Sequence, residues 1–206
     1  MKIGQYLLKI RSLMELRRYQ NVFLHKRRSV AEHSWSVAKI SQMIALREIH
    51  ENGTKLDMGV LFQKALCHDE LEMFTGDFPS HTKRRTESMT DAVNELESIV
   101  YREDYLPMID DKLVEKFEGY VLDAKDGSVE GEILAAADLI DTIFEALDEV
   151  KLGNKEYMVS VYTTSVQELY KSPLKSVQDF IEQEVPKLII GTDLVHPKFL
   201  KSSTTA

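Results

Sequence analysis

The stretch 128-SVEGEILAAADLIDTIFEALDEVKL-152 decides the fold class. Ile133, Ala137, Ile140, Phe144 and Leu147 recur every three or four residues, the spacing of one buried helix face. The Gly153-Asn154 pair that follows is a natural C-terminal stop. Working outward, the same period returns along the chain. Ile3, Tyr6, Leu7, Ile10, Leu13 and Met14 predict a first helix, and the polar run "YQNVFLHKRRS" after it reads as a loop. Ser29-Val30-Ala31-Glu32 is a capping box, in which the Ser and Glu side chains satisfy each other's backbone at a helix start. Val37, Ile40, Ile44 and Ala45 continue that helix until "HENGTK" ends it.

Met58, Leu61, Phe62, Ala65 and Leu66 mark a third helix, which runs into His68-Asp69 and then the turn "TGDFPS". Val93, Leu96, Ile99 and Val100 mark a fourth, and a shorter one with Leu113, Val114 and Phe117 follows Pro107. Two more are expected over 155–171 and 174–186, parted near Pro173. No sustained alternation argues for a sheet. The expectation is an all-α, single-domain helical bundle over residues 1–190, with 191–206 a loosely ordered tail.

Composition narrows the function. No apolar run reaches the roughly 18 residues of a membrane span. Lys9, Arg11, Arg17 and Arg18 interrupt every apolar patch at the N-terminus, so no signal-peptide layout appears. One cysteine, Cys67, excludes an intrachain disulfide and fits a reducing cytoplasm. The net charge of −8 argues against a nucleic-acid coat. Residues 1–50 nevertheless hold ten Lys/Arg against three Glu, a local attraction for a small anion or simply a solvated basic face.

Chemistry concentrates in 67-CHDELEMFTGDFPS-80, where one His and four carboxylates fall within ten residues. A lone His-Asp pair is weak evidence, since a His closing its helix and an Asp opening a turn accounts for it. Position adds weight. His33 sits on the first turn of the capped helix, and Asp138 lies mid-helix in apolar company, where a carboxylate is costly without a cationic partner. Two imidazoles and two carboxylates, His33, His68, Asp69 and Asp138, make a mixed N/O set suited to one divalent ion (Mn, Co, Fe, Zn or Mg). Four protein ligands leave a position for water.

The order His33, His68-Asp69, Asp138 resembles the signature of the HD-domain metal-dependent phosphohydrolases. The segments "RRYQNVFLHKRRSVAEHSWSVA", "ALCHDELEMFTGDFPSHTK" and "AADLIDTIFEALDEVKLGNKEY" are more specifically similar to the bacterial HD-domain 5′-deoxynucleotidases. The resemblance implies a metal-dependent phosphomonoesterase acting on nucleoside 5′-monophosphates and, by family analogy, a homodimer. Together with the composition it makes a small nucleotide the expected partner, with neither nucleic acid nor membrane, in the cytoplasm. It makes Glu72 the carboxylate that hydrogen-bonds the attacking water and Asp77 the one near the sugar and leaving oxygen. It makes Arg18 the phosphate-binding arginine and Lys83 a second point charge on the phosphate, although a surface salt bridge is the plain alternative for both. At Tyr19 the family carries Trp, so the aromatic wall gains a hydroxyl and strict 2′-deoxy selectivity is open.

Glu70 is expected on the outer face and Trp35 in the core. The triplets Lys26-Arg27-Arg28 and Lys83-Arg84-Arg85 are expected as an anion-attracting rim or as solvated charge. Two-metal relatives carry extra histidines between the His-Asp pair and the last aspartate. Here His81 alone lies there, which favours one metal. The rival enzyme is an HD phosphohydrolase acting on triphosphates, alarmones or another phosphoester.

Overall fold

The computed structural model describes residues 3–78, 83 and 85–201. Among these the regular backbone is helical throughout, apart from an isolated bridge between Arg17 and Ser29. The all-α expectation holds. The helices are α1 (Ile3–Ile10), α2 (Val30–Asn52), α3 (Met58–Cys67), α4 (Glu72–Thr75), α5 (Glu87–Val100), α6 (Val114–Val121), α7 (Val129–Lys151), α8 (Lys155–Leu169), α9 (Lys175–Asp179) and α10 (Val185–Leu188).

By its internal contacts the chain forms two compact units. One takes in the described parts of 1–23, 27–35 and 63–124, the other those of 24–26, 36–62 and 125–206. The first unit is built around Leu13, Val30, Cys67, Leu71, Met73, Val100, Tyr101, Tyr105, Ile109 and Val121, with Tyr6 and Phe117 packed against them. In the second, α7 is the central element. Ile133, Leu134, Ala137, Ile140, Ile143, Ala146, Leu147 and Val150 are all buried, and Asp141, Glu145 and Glu149 are buried with them, so the helix is enclosed over most of its circumference. Phe144 is half-buried. Gly153 at φ +100° closes α7, and the short turn lays α8 along it.

Local chemistry sets the helix ends. Ser29 N–H donates to Glu32 Oε2 at 2.6 Å and Glu32 N–H donates to Ser29 Oγ at 3.1 Å, so the capping box forms as read. Thr86 caps α5 through Met89 N–H, and Ser128 caps α7 through Gly131 N–H. Two wide π-turns, Tyr101–Tyr105 and Phe180–Glu184, each lie one turn before a proline, Pro107 and Pro186. A proline ring crowds the carbonyl four residues back and has no N–H to return, which loosens that turn.

Two expectations are corrected here. Trp35 is 69% exposed, because it sits one position off the buried α2 stripe of Val30, His33, Ser34, Val37, Ser41, Ile44 and Ala45. The segment from 191 is packed as far as Leu200. Leu194 and Leu200 are buried, and Tyr162 Oη donates to Val195 O at 3.0 Å.

Candidate active site

The segment that carries His68-Asp69 is a chain of tight turns rather than a continued helix. α3 stops at Cys67, after which Glu70 N–H bonds Cys67 O, Glu72 N–H bonds Asp69 O and Met73 N–H bonds Glu70 O, all at 3.0–3.1 Å. Gly76, at φ +77°, ends α4 with its N–H on Glu72 O at 2.9 Å. Such three-residue turns wind tighter than an α-helix, so they re-aim the side chains that follow the His-Asp pair.

Asp69 Oδ2 lies 3.2 Å from His68 Nε2 and 3.4 Å from His33 Nε2. The two imidazoles are themselves close, with ring centroids 5.4 Å apart and candidate ligand nitrogens within 4.8 Å of one another. His68 Nδ1 is 2.9 Å from Ala65 O. A carbonyl only accepts, so Nδ1 bears the proton and Nε2 presents its lone pair toward the Asp69 carboxylate. Two lone-pair atoms facing each other at 3.2 Å in a buried place require a cation, either a second imidazole proton or a metal ion. Burial pushes the Asp69 carboxyl upward, but the facing imidazoles outweigh it and hold its pKa well below the usual range. The donor chemistry therefore fits a divalent metal.

Glu72 stands next to this group. It is held well above the ordinary carboxylate range, first by burial and then by the charges of Asp69 and Asp77. Its Oε2 is buried and has no hydrogen-bond partner among the described residues. Asp77 is also raised, chiefly by burial, while its bond from Tyr19 N–H at 2.7 Å and the Arg18 charge pull the other way. Asp69 is thus shifted down while Glu72 and Asp77 are shifted up, so neighbouring carboxylates of the cluster are set apart by their surroundings.

Arg18 is half-buried, with its guanidinium on His33 Nδ1 and 5.4 Å from the centre of the Tyr19 ring. Tyr19 is buried and adopts φ +54°. Lys83 forms an ion pair with Glu97 at 2.6 Å, the plain alternative named for it above. Asp138 belongs to the second unit, half-buried on α7, with Lys125 Nζ at 2.5 Å from its carboxylate. The lysine is the cationic partner its apolar surroundings demanded. His81 and Arg84 lie outside the described residues.

The expected role of Glu70 is corrected. It is 5% exposed and accepts hydrogen bonds from Tyr105 Oη at 2.5 Å and Tyr6 Oη at 2.8 Å. Burial raises its pKa and the two tyrosine hydroxyls oppose the rise. Arg27, read as rim or solvated charge, is exposed and also donates to two backbone carbonyls, Tyr19 O at 2.9 Å and Val22 O at 2.6 Å.

A family model described as 5′-deoxynucleotidase YfbR-like matches residues 5–188. Among curated relatives, a 5′-deoxynucleotidase of Shewanella oneidensis is 24% identical over 182 residues, covering 88% of this chain and 92% of the relative. One from Vibrio vulnificus is 26% identical over 132 residues, covering 64% and 68% respectively. Among solved structures, an HD-domain phosphohydrolase of Listeria innocua superposes with a TM-score of 0.78 at 26% identity, over 91% of this chain and 89% of that one. The HD phosphohydrolase of cyanophage S-2L, solved with dA and one catalytic Zn2+ ion, shares the fold at a TM-score of 0.61 and 19% identity, over 88% and 95%.

Proposed function

The chain belongs to the YfbR-like 5′-deoxynucleotidase family of HD-domain phosphohydrolases, and from that membership we propose how its own residues remove phosphate from nucleoside 5′-monophosphates. The observation that carries the reading is the Asp69 carboxylate set between two buried imidazoles, with the unbonded Glu72 oxygen next to it. His33, His68 and Asp69 are the residues that would hold a divalent ion. Asp138 completes the set on the strength of the sequence pattern. When bound, such an ion polarises a phosphate oxygen and lowers the pKa of a water.

Glu72, whose buried Oε2 has no hydrogen-bond partner among the described residues, hydrogen-bonds and orients the attacking water. Arg18 grips the phosphate, whose charge grows toward the transition state. The Arg18 contact on His33 bears on this step. His33 offers Nε2 as a ligand only when Nδ1 is protonated, and that tautomer releases the guanidinium from the ring. Asp77, with one oxygen on Tyr19 N–H, has the other for orienting the leaving 5′-oxygen. Tyr19 supplies the aromatic wall for the sugar. Lys83 reaches the phosphate only by exchanging its Glu97 partner for it.

Mn, Co, Fe, Zn and Mg all suit the donor set. The zinc site named for the cyanophage relative supports Zn as one member of that group. We also propose a cytoplasmic homodimer, as the family resemblance implies, with a small nucleotide rather than a nucleic acid or a membrane as partner. No helix among the described residues is long and apolar enough to cross a membrane. The test is phosphate release from deoxy- and ribonucleoside 5′-monophosphates, a 3′-monophosphate and a triphosphate, with Glu72→Ala as control. Release confined to 5′-monophosphates and lost in the variant is expected. Cleavage of the triphosphate alone would replace the reading with that of the rival enzyme.

A further inference from the structure

Among the described residues, Tyr19 is the non-glycine residue with positive φ, at +54°. The left-handed region is disfavoured for any side chain with a Cβ, and an aromatic residue holds it only where its surroundings over-determine it. Tyr19 is over-determined at both ends of its peptide unit. Its N–H is bound by Asp77 Oδ2 at 2.7 Å. Its carbonyl accepts from Arg27 Nη1 at 2.9 Å and from Val22 N–H at 3.3 Å.

Arg27 also reaches the far side of the same turn, with Nη2 on Val22 O at 2.6 Å. One guanidinium thus spans residues 19 and 22 and closes the turn like a clasp. Two parallel N–H groups in a rigid fork can do this, and a single ammonium cannot hold both carbonyls in that plane. The clasp fixes the backbone from which the Tyr19 ring departs, and the adjacent Arg18 guanidinium lies 5.4 Å from the centre of that ring. Asp77 holds the other end of Tyr19, so loss of the clasp leaves its carbonyl with only the longer 3.3 Å bond from Val22 N–H.

We propose that Arg27 is a positioning residue for sugar recognition: it holds the Tyr19–Val22 turn in its left-handed form and thereby sets where the aromatic wall meets the sugar. The inference rests on the proposed nucleotidase function. Its own content is that a side chain making no substrate contact governs the discrimination between deoxyribose and ribose. Discrimination of a single hydroxyl depends on the placement of the groups facing it, so a loosened Tyr19 blurs it. The chemistry itself is carried by other side chains, so the effect falls on KM more than on kcat.

The experiment compares the wild-type full chain with Arg27→Ala and Arg27→Lys. Hydrogen exchange of the 19–22 backbone amides is measured without substrate, and steady-state kinetics are measured on matched 2′-deoxy- and ribonucleoside 5′-monophosphates. Both variants are expected to melt cooperatively and to exchange these amides about tenfold faster, equivalent to about 1.4 kcal/mol of local opening. Their KM should rise roughly tenfold with kcat held within about threefold, and the deoxy-to-ribo ratio of kcat/KM should move at least about threefold toward unity. Unchanged exchange in Arg27→Ala overturns the clasp. Faster exchange with an unaltered sugar ratio overturns the specificity role. Full recovery in Arg27→Lys assigns the effect to charge and overturns the geometric account. A wild-type chain silent on every 5′-monophosphate sinks the proposed function and the sugar role with it, while the exchange data still decide the clasp.

Discussion

Replacing Glu70 probes the packing directly behind the His-Asp pair. The carboxylate accepts from Tyr105 Oη at 2.5 Å and Tyr6 Oη at 2.8 Å, and Tyr105 is fully buried. Glu70→Ala strands both hydroxyls. A buried donor left without its acceptor costs about 1–3 kcal/mol, which applies in full to Tyr105 and in part to the half-buried Tyr6, so with the vacated volume the loss comes to roughly 2–4 kcal/mol. That is a large share of the about 5–15 kcal/mol that holds a domain folded. Glu70→Gln keeps the volume and an acceptor oxygen while removing a buried charge, and should stay within about 1 kcal/mol of wild type. Urea unfolding followed by circular dichroism measures both through the midpoint and slope.

The pH dependence carries a definite sign. Burial lifts the folded Glu70 pKa above its ordinary 4.5. Between those two values the native state binds more proton than the unfolded chain, so this group's contribution falls as pH rises through the window. Glu70→Gln should remove that slope. An alanine variant within about 1 kcal/mol of wild type would refute the reasoning, as would a glutamine variant as unstable as the alanine one.

Glu48 is the opposite case in the second unit. Burial pushes it up, but Ser176 Oγ at 2.6 Å, Ser176 N–H at 2.9 Å and Thr54 Oγ1 at 3.0 Å outweigh burial and lower its pKa. Its stabilisation is present above the ordinary value and lost as pH falls through the lowered one. Acid melts should therefore show a shallower decline in Glu48→Gln than in wild type. Ser29→Ala removes the Oγ acceptor of the capping box and should cost about 1 kcal/mol, read as a Tm drop of about 2–4 °C. Saturating Mn or Zn should raise the wild-type Tm by the equivalent of about 2.7 kcal/mol at a hundredfold excess over Kd, and Asp69→Ala should lose that gain.

What was legible in the sequence was local. The Ser29-Glu32 box acts over three residues, and the α7 stripe needs only the helical period, so both formed as read. What was not legible depends on partners far along the chain. Glu70 looks like any turn carboxylate, because its partners Tyr6 and Tyr105 lie 64 and 35 residues away. Trp35 looks like core by residue type, and only the phase of the α2 stripe shows that it faces outward. The turns after Cys67 carry no periodic signal, so the sequence does not show where the third helix gives way to them. Arg27 looked like charge for its own sake. Its use is to hold two carbonyls of a turn whose left-handed residue, Tyr19, no composition rule marks.

The most direct test of the central claim couples metal binding to hydrolysis in one titration. Metal-stripped wild type, His68→Ala and Asp69→Ala receive Mn in sub-equivalent steps, with bound metal and phosphate release from a 2′-deoxynucleoside 5′-monophosphate read at each step. The account predicts release rising linearly to one equivalent in the wild type, with neither tight binding nor release in either variant. Release by the stripped protein, or undiminished release from Asp69→Ala, would contradict it.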